Sequence, residues 1–258
     1  MLRKLMIIIL MGVAFFGMFA PNTVAETLEK FTPTKINLDQ IVPSSPTPLI
    51  EGKGFCLIQS DDGNVAYYFA SFQAGDGFAL YMDPAKCGVK DPYPFKVTDV
   101  HFYLYDPDGY TWPVEIGVNI RDLIQGDKCN GPGNLLCSRT YTIPIDSAYP
   151  TLIHLDLDSL CCVYSPFFLE VKYTGGTNTP YPSLLWTSQS TNPADTCDAW
   201  IHYQGYYYEW YDAWGPPALG YPMMRITGYT QQCHPESCWY WKNSTENSPS
   251  GMPDFGQY

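Results

Sequence analysis

Basic side chains are scarce in this chain. Fourteen Lys and Arg stand against 26 Asp and Glu in 258 residues, a net charge of −12 at pH 7. Two of the bases, Arg3 and Lys4, lie at the extreme N-terminus. A surface this acidic repels phosphate backbones and anionic headgroups, which argues against nucleic acid as a partner. Histidine is rarer still, with His101, His154, His202 and His234 the full set of 4. Missing altogether are a Gly-x-Ser-x-Gly elbow, a His-Glu-x-x-His pair and a Gly-rich phosphate loop, the motifs that mark hydrolase, metallopeptidase and nucleotide chemistry. A redox or haem-type Cys-x-x-Cys is also absent. No catalytic constellation or organic cofactor site is recognisable, and the expectation is a module without catalysis. Beyond the N-terminal segment, no stretch of 12 or more residues keeps a helical apolar period.

What is present begins with that segment. Met1 to Lys4 is cationic, and Leu5 to Ala20 carries no polar side chain. Pro21 breaks the run, and Thr23-Val24-Ala25 offers small residues before Glu26. This is the layout of a secretory signal peptide over residues 1–25. The run falls short of the roughly 20 apolar residues of a spanning helix, so the mature chain is expected secreted or at the cell surface, without stable membrane insertion.

Residues 26–54 are rich in Pro and Thr and read as an extended leader. From Phe55 short apolar segments recur between Gly, Pro, Asp and Asn. Strands are predicted near 55–59, 65–72, 78–82, 97–105, 113–120, 138–143, 151–157, 167–173, 184–187, 199–203, 206–211 and 223–229. Several alternate cleanly. Val114, Ile116, Val118 and Ile120 share one face, as do Phe167, Leu169, Val171 and Tyr173, opposite Phe168, Glu170 and Lys172. Period two places one face in a core, the pattern of antiparallel sheets. The expected fold is all-β: an antiparallel β-sandwich or jelly roll over 55–230, with long loops and disulfides. Residues 231–258 are expected to form a disulfide loop and a tail or linker.

All 9 cysteines follow the signal segment. In an exported chain that suits up to four bridges and one spare thiol. Local spacing favours Cys129–Cys137 and Cys233–Cys238. A Cys/His metal site at the latter would need a second such pair, which is lacking. Neighbouring Cys161 and Cys162 form a strained ring if bonded to each other, so Cys197 is the expected partner of one of them. Asp61-Asp62-Gly63-Asn64 and Asp106-Pro107-Asp108-Gly109 faintly resemble calcium loops. The second has Tyr110 and Gly117 where an EF-hand needs ligands, and turn chemistry explains both.

The densest feature is aromatic. Trp200, Tyr203, Tyr206, Tyr207, Tyr208, Trp210, Tyr211 and Trp214 fall within fifteen residues, with Gln204-Gly205 at a hairpin tip. Side chains alternate along a strand, so one hairpin cannot hide them all on one side. Either both sides are covered and the rings only stabilise a sheet, or some face a ligand. Trp200, Tyr203, Tyr207, Trp210, Tyr211 and Trp214 are the candidate ligand residues. Trp210 and Trp214 offer the largest stacking faces, toward carbohydrate or protein.

The runs Asp195-Thr196-Cys197-Asp198-Ala199-Trp200, Tyr208 to Pro217 and Arg225-Ile226-Thr227-Gly228-Tyr229, with Pro94 to Val100 and Pro166-Phe167-Phe168-Leu169, carry a resemblance. Over about Phe55 to Thr230 the chain resembles β-sandwich modules of secreted bacterial proteins of uncharacterised function. The resemblance implies fold class and export, not chemistry. The closing Met252 to Tyr258 is similar to a linker that in relatives leads into a Cys-Gly-Pro, papain-like cysteine peptidase segment. It implies an alternative role, the N-terminal accessory domain of a truncated secreted cysteine peptidase-like protein.

Overall fold

The computed structural model describes residues 34–35 and, from 54 to 233, all but 62, 64, 69–71, 106–112, 144–150, 177–182, 188–196, 211–219 and 232. The signal segment, most of the leader and the C-terminal tail lie outside the described residues.

Thirteen strands are described: β1 Thr34–Lys35, β2 Phe55–Gln59, β3 Val65–Tyr68, β4 Gly77–Met82, β5 Phe95–Tyr105, β6 Val114–Leu123, β7 Pro132–Ile143, β8 Thr151–Val163, β9 Phe167–Gly176, β10 Ser183–Thr187, β11 Ala199–Tyr203, β12 Tyr206–Glu209 and β13 Met224–Thr230. Each strand expected from Phe55 onward is present. β1 is an addition, because Thr34 and Lys35 of the segment read as a leader pair with Tyr68 and Tyr67.

Two antiparallel sheets result. The first runs β1-β3-β10-β5-β13-β2, with β8 on β5 as well. β5 is its central strand: Phe95 to Phe102 pair with β13 on one edge and with β8 on the other. The second runs β12-β11-β4-β9-β6-β7. Its inward residues follow the alternation read from the sequence: Phe78, Leu80 and Met82 on β4, Val114, Ile116, Val118 and Ile120 on β6, and Phe167, Leu169, Val171 and Tyr173 on β9 are all buried. Phe72 stacks on Tyr173 and meets Phe78 edge-on. From the first sheet, Val97, Val100, Phe102, Leu104, Ile58 and Ile226 are buried. Burying one such side chain stabilises by roughly 1.5–3 kcal/mol.

Four disulfides join Cys56–Cys87, Cys129–Cys197, Cys137–Cys161 and Cys162–Cys233. This corrects the expected local bridges. Cys129 and Cys137 are not bonded to each other, Cys233 goes to Cys162 rather than Cys238, and Cys197 goes to Cys129 rather than Cys161 or Cys162. The physical reason is strand geometry. Cys137 lies within β7 opposite Ile120 and faces the core, whereas Cys129 sits on the 3-10 turn Lys128–Asn130 outside it. Adjacent strand residues point to opposite faces, so Cys161 reaches across to the second sheet while Cys162 meets the segment leaving β13. Cys238 lies outside the described residues.

Candidate functional site

The hairpin forms where the sequence placed it. Gln204 and Gly205 connect β11 to β12 with φ of 50° and 86°, the two positive values a two-residue turn of the type I′ kind needs. The ladder pairs Tyr203 with Tyr206, His202 with Tyr207, Ile201 with Tyr208 and Trp200 with Glu209. β11 continues onto β4, with Ile201 opposite Phe78 and Trp200 opposite Ala79. Ile201 and Tyr208 therefore share the core side with Phe78. Trp200, His202, Tyr207 and Glu209 share the outward side.

That assignment decides the candidate rings. Trp210 has the parity of Tyr208. It is 7 % exposed and meets Phe78 edge-on, with centroids 6.0 Å apart, so it is a core residue rather than a stacking platform. Tyr203, on the same side, is buried too. Trp200 points outward yet is only 8 % exposed. It packs with Ala79 and Phe168, flanked by Tyr81, Leu123 and Tyr207, and its indole N–H donates to the Cys197 carbonyl at 2.9 Å. The segment around Gly131 roofs it: a Cβ there would come 3.3 Å from the Trp200 ring, at a φ of +88°. The Cys129–Cys197 bridge ties that roof to the start of β11. Tyr207 is half-buried, and Tyr211 and Trp214 lie outside the described residues. The one exposed ring among the described residues of the segment is Tyr206, at 68 %, with Tyr208 half-buried beside it. Tyr206 was not among the candidates: alternation gives it the core-side parity of Tyr203 and cannot show its exposure next to the turn.

Under the hairpin the outward face carries a charged network. Glu170 on β9 is 0 % exposed. It accepts from Asn119 Nδ2 at 2.6 Å, Arg121 Nε at 2.8 Å and the Tyr207 hydroxyl at 2.5 Å. Arg121 also donates to the Gly133 carbonyl at 3.0 Å, and Ser138 bonds Asn119 Oδ1 at 2.6 Å. Burial pushes the Glu170 carboxyl up, but the Arg121 charge and these hydrogen bonds outweigh it and hold it below the usual carboxylate range. His202 Nδ1 lies 3.8 Å from Glu170 Oε1 and has no hydrogen-bond partner. Burial first, then the Lys172 charge, lowers its pKa, so the ring is held neutral. Nearby, Lys128 pairs with Asp198 at 2.5 Å and sits 5.4 Å over the Tyr81 ring.

The first sheet bears a second polar cluster on its outer face. Asp99 Oδ1 lies 2.8 Å from His154 Nε2, and Asp99 Oδ2 accepts from Thr227 at 2.8 Å. His154 stacks on His101 at 4.6 Å. Arg225 makes a buried, two-pronged pair with Asp61. Asp61, in one of the two calcium-like loops, thus turns its carboxylate onto a guanidinium, and also accepts from Gly63 N–H. The other loop, at Asp106, lies outside the described residues. Among the described residues no three His, Cys, Asp or Glu are grouped to hold a metal ion, and no helix is long and apolar enough to cross a membrane.

The molecule is thus a two-sheet antiparallel β module braced by disulfides. Residues 57–211 match the family described as Domain of unknown function (DUF7451), and the chain belongs to that family. No curated protein matches it. Two solved structures are similar at 12 % identity. One is the cysteine protease and lectin-like domains of Cwp84, a surface layer associated protein of Clostridium difficile (TM-score 0.49, 69 % of this chain and 36 % of that one). The other is a substituted form of the clostridial cysteine protease Cwp84 after propeptide cleavage (TM-score 0.48, 69 % and 41 %). The chain spans well under two thirds of either, and a likeness of this degree carries no statement about ligand or activity.

Proposed function

We propose that this chain is a non-catalytic, secreted or surface-displayed β-sandwich module that binds carbohydrate or protein through its aromatic hairpin. The observation that carries this reading is Tyr206: an exposed ring at the tip of a hairpin whose other described rings are buried or half-buried. A two-residue turn, the ladder to β4, the Tyr207–Glu170 bond and the Cys129–Cys197 bridge hold that hairpin. A ring held rigidly costs little entropy when a flat apolar partner stacks on it. Four disulfides suit an extracytoplasmic site, in keeping with the signal segment. The acidic balance disfavours nucleic acid.

The test is glycan-array and surface-protein binding by the oxidised chain beginning at Glu26. Tyr206→Ala is expected to abolish the binding found while leaving the melting temperature unchanged. Trp210→Ala serves as the buried control and is expected to cost about 3–5 kcal/mol of stability. Undiminished binding by Tyr206→Ala refutes the hairpin as the binding element.

A further inference from the structure

Beyond the two-residue β1, the chain enters and leaves the sandwich at one place. β2 and β13 are antiparallel neighbours, with Phe55 opposite Tyr229 and Cys56 opposite Gly228. Just outside them Thr230 N–H donates to the Gly54 carbonyl at 2.8 Å. Tension applied through the two flanking segments therefore pulls on the β2–β13 ladder from its end. Loaded that way, hydrogen bonds break in succession, and each resists alone. Held by hydrogen bonds alone, this is the weakest geometry in which to string a β domain.

The disulfides sit where that zipper would open. Cys56 is the second residue of β2 and is bonded to Cys87, in the 3-10 turn that follows β4 of the other sheet. Cys233 is the third residue past β13 and is bonded to Cys162 on β8. Its neighbour Cys161 is bonded to Cys137 on β7 of the second sheet. One covalent route thus runs from Cys56 to Cys87, along the backbone to Cys137, across to Cys161, through one peptide bond to Cys162, and out at Cys233.

The backbone on that route is the stretch from Cys87 to Cys137. It contains β5 and β6, each paired along both edges: β5 with β8 and β13, β6 with β7 and β9. Strands β3, β4 and β9 to β13 lie inside closed covalent loops and cannot be drawn out. The hairpin with Tyr206 is among them.

We infer that the module has a mechanical function: it transmits tension between its flanking segments covalently, sparing the β2–β13 ladder and the hairpin from load. The inference rests on the bridges and the strand order, not on the ligand reading.

Single-molecule force spectroscopy of the full chain, held through marker domains at its two ends, tests this. With the bridges intact, opening is expected to release about one third of the length between Cys56 and Cys233 that the reduced chain releases, at roughly 3.5 Å per residue. The first rupture is expected at higher force than in reductant. A chain with Cys162→Ser and Cys233→Ser is expected to release residues 198–232 early, because Cys129–Cys197 still closes the loop behind them. Should that variant not fold, adding reductant to the unsubstituted chain already held under load reads the same step, as a sudden lengthening. The inference is overturned if oxidised and reduced chains open at the same force, or release the same length. Neither result bears on Tyr206.

Discussion

The two sheets place the central carboxylates of their outer polar networks differently. Each centres a polar network on a carboxylate and carries a histidine with an unpartnered ring nitrogen, His202 Nδ1 on one and His101 Nε2 on the other. On the second sheet the carboxylate is Glu170, wholly buried with Arg121, Asn119 and Tyr207 donating to it. On the first it is Asp99, beside a His154 side chain that is 58 % exposed. The difference is the roof. The segment carrying Gly131 covers Trp200, next to Glu170, and a disulfide pins it down. A charge sealed away from water must be balanced permanently and becomes framework. A charge left at the water's edge needs no such permanent balance.

Glu170→Ala should have the largest effect. It leaves Arg121 half-buried without its carboxylate and Tyr207 without its acceptor, and a cost of about 3–5 kcal/mol in denaturant unfolding is expected. A cost below about 1 kcal/mol would make the two faces equivalent and break the comparison.

Acid should act next, and on the other face. Burial first, then the His154 charge, holds His101 down to about 4 against an ordinary 6.5. Between those values the unfolded chain binds a proton that the folded chain refuses. Stability therefore falls as pH drops from about 6.5 to about 4, by at most about 3 kcal/mol, with no further loss from this group below that. His101→Asn should flatten this window in a series of melts. Asp99 and Glu170 titrate lower. Burial raises both, but hydrogen bonds, with the Arg121 charge at Glu170, hold them below the ordinary carboxylate range. Their contribution is present above that range and is lost as pH falls through it and below, a second and separable step.

Smaller still is His154→Ala. An exposed pair contributes about 0.2–1 kcal/mol, so unfolding at pH 7 should barely move, whereas a change matching that of Glu170→Ala would show Asp99 to be framework too. Tyr206→Ala should be smallest, within about 0.5 kcal/mol, its effect confined to binding.

Period two in β6 and β9 was enough to read which residues face the core, because each strand has one apolar side. β11 and β12 defeated that logic. With aromatic residues on both sides, alternation separates Tyr207 from Trp210 but cannot say which set is inward; only the pairing of Ile201 with Phe78 does. Glu170 could be read as outward but not as buried, since the roof comes from residues about forty positions earlier. The disulfides were least legible. Cys129 and Cys137 are close in sequence, yet one lies on a surface turn and the other within a strand, so their partners are set by the tertiary arrangement alone.

Cys161 and Cys162 pose a problem of assembly. As the chain emerges N-terminus first, Cys137 meets both thiols at the same moment, one residue apart, while Cys233 is still to come. Nothing in the reactivity of two adjacent thiols tells Cys137 which to take. What distinguishes them is the pleat: once β8 is docked on β5, one sulfur faces the second sheet and the other faces away. Oxidation that outruns docking joins Cys137 to Cys162 and strands Cys161 on the wrong side. A producing cell must therefore either delay the oxidant or supply an isomerase, and yield in a host lacking both is set by how fast β8 finds β5.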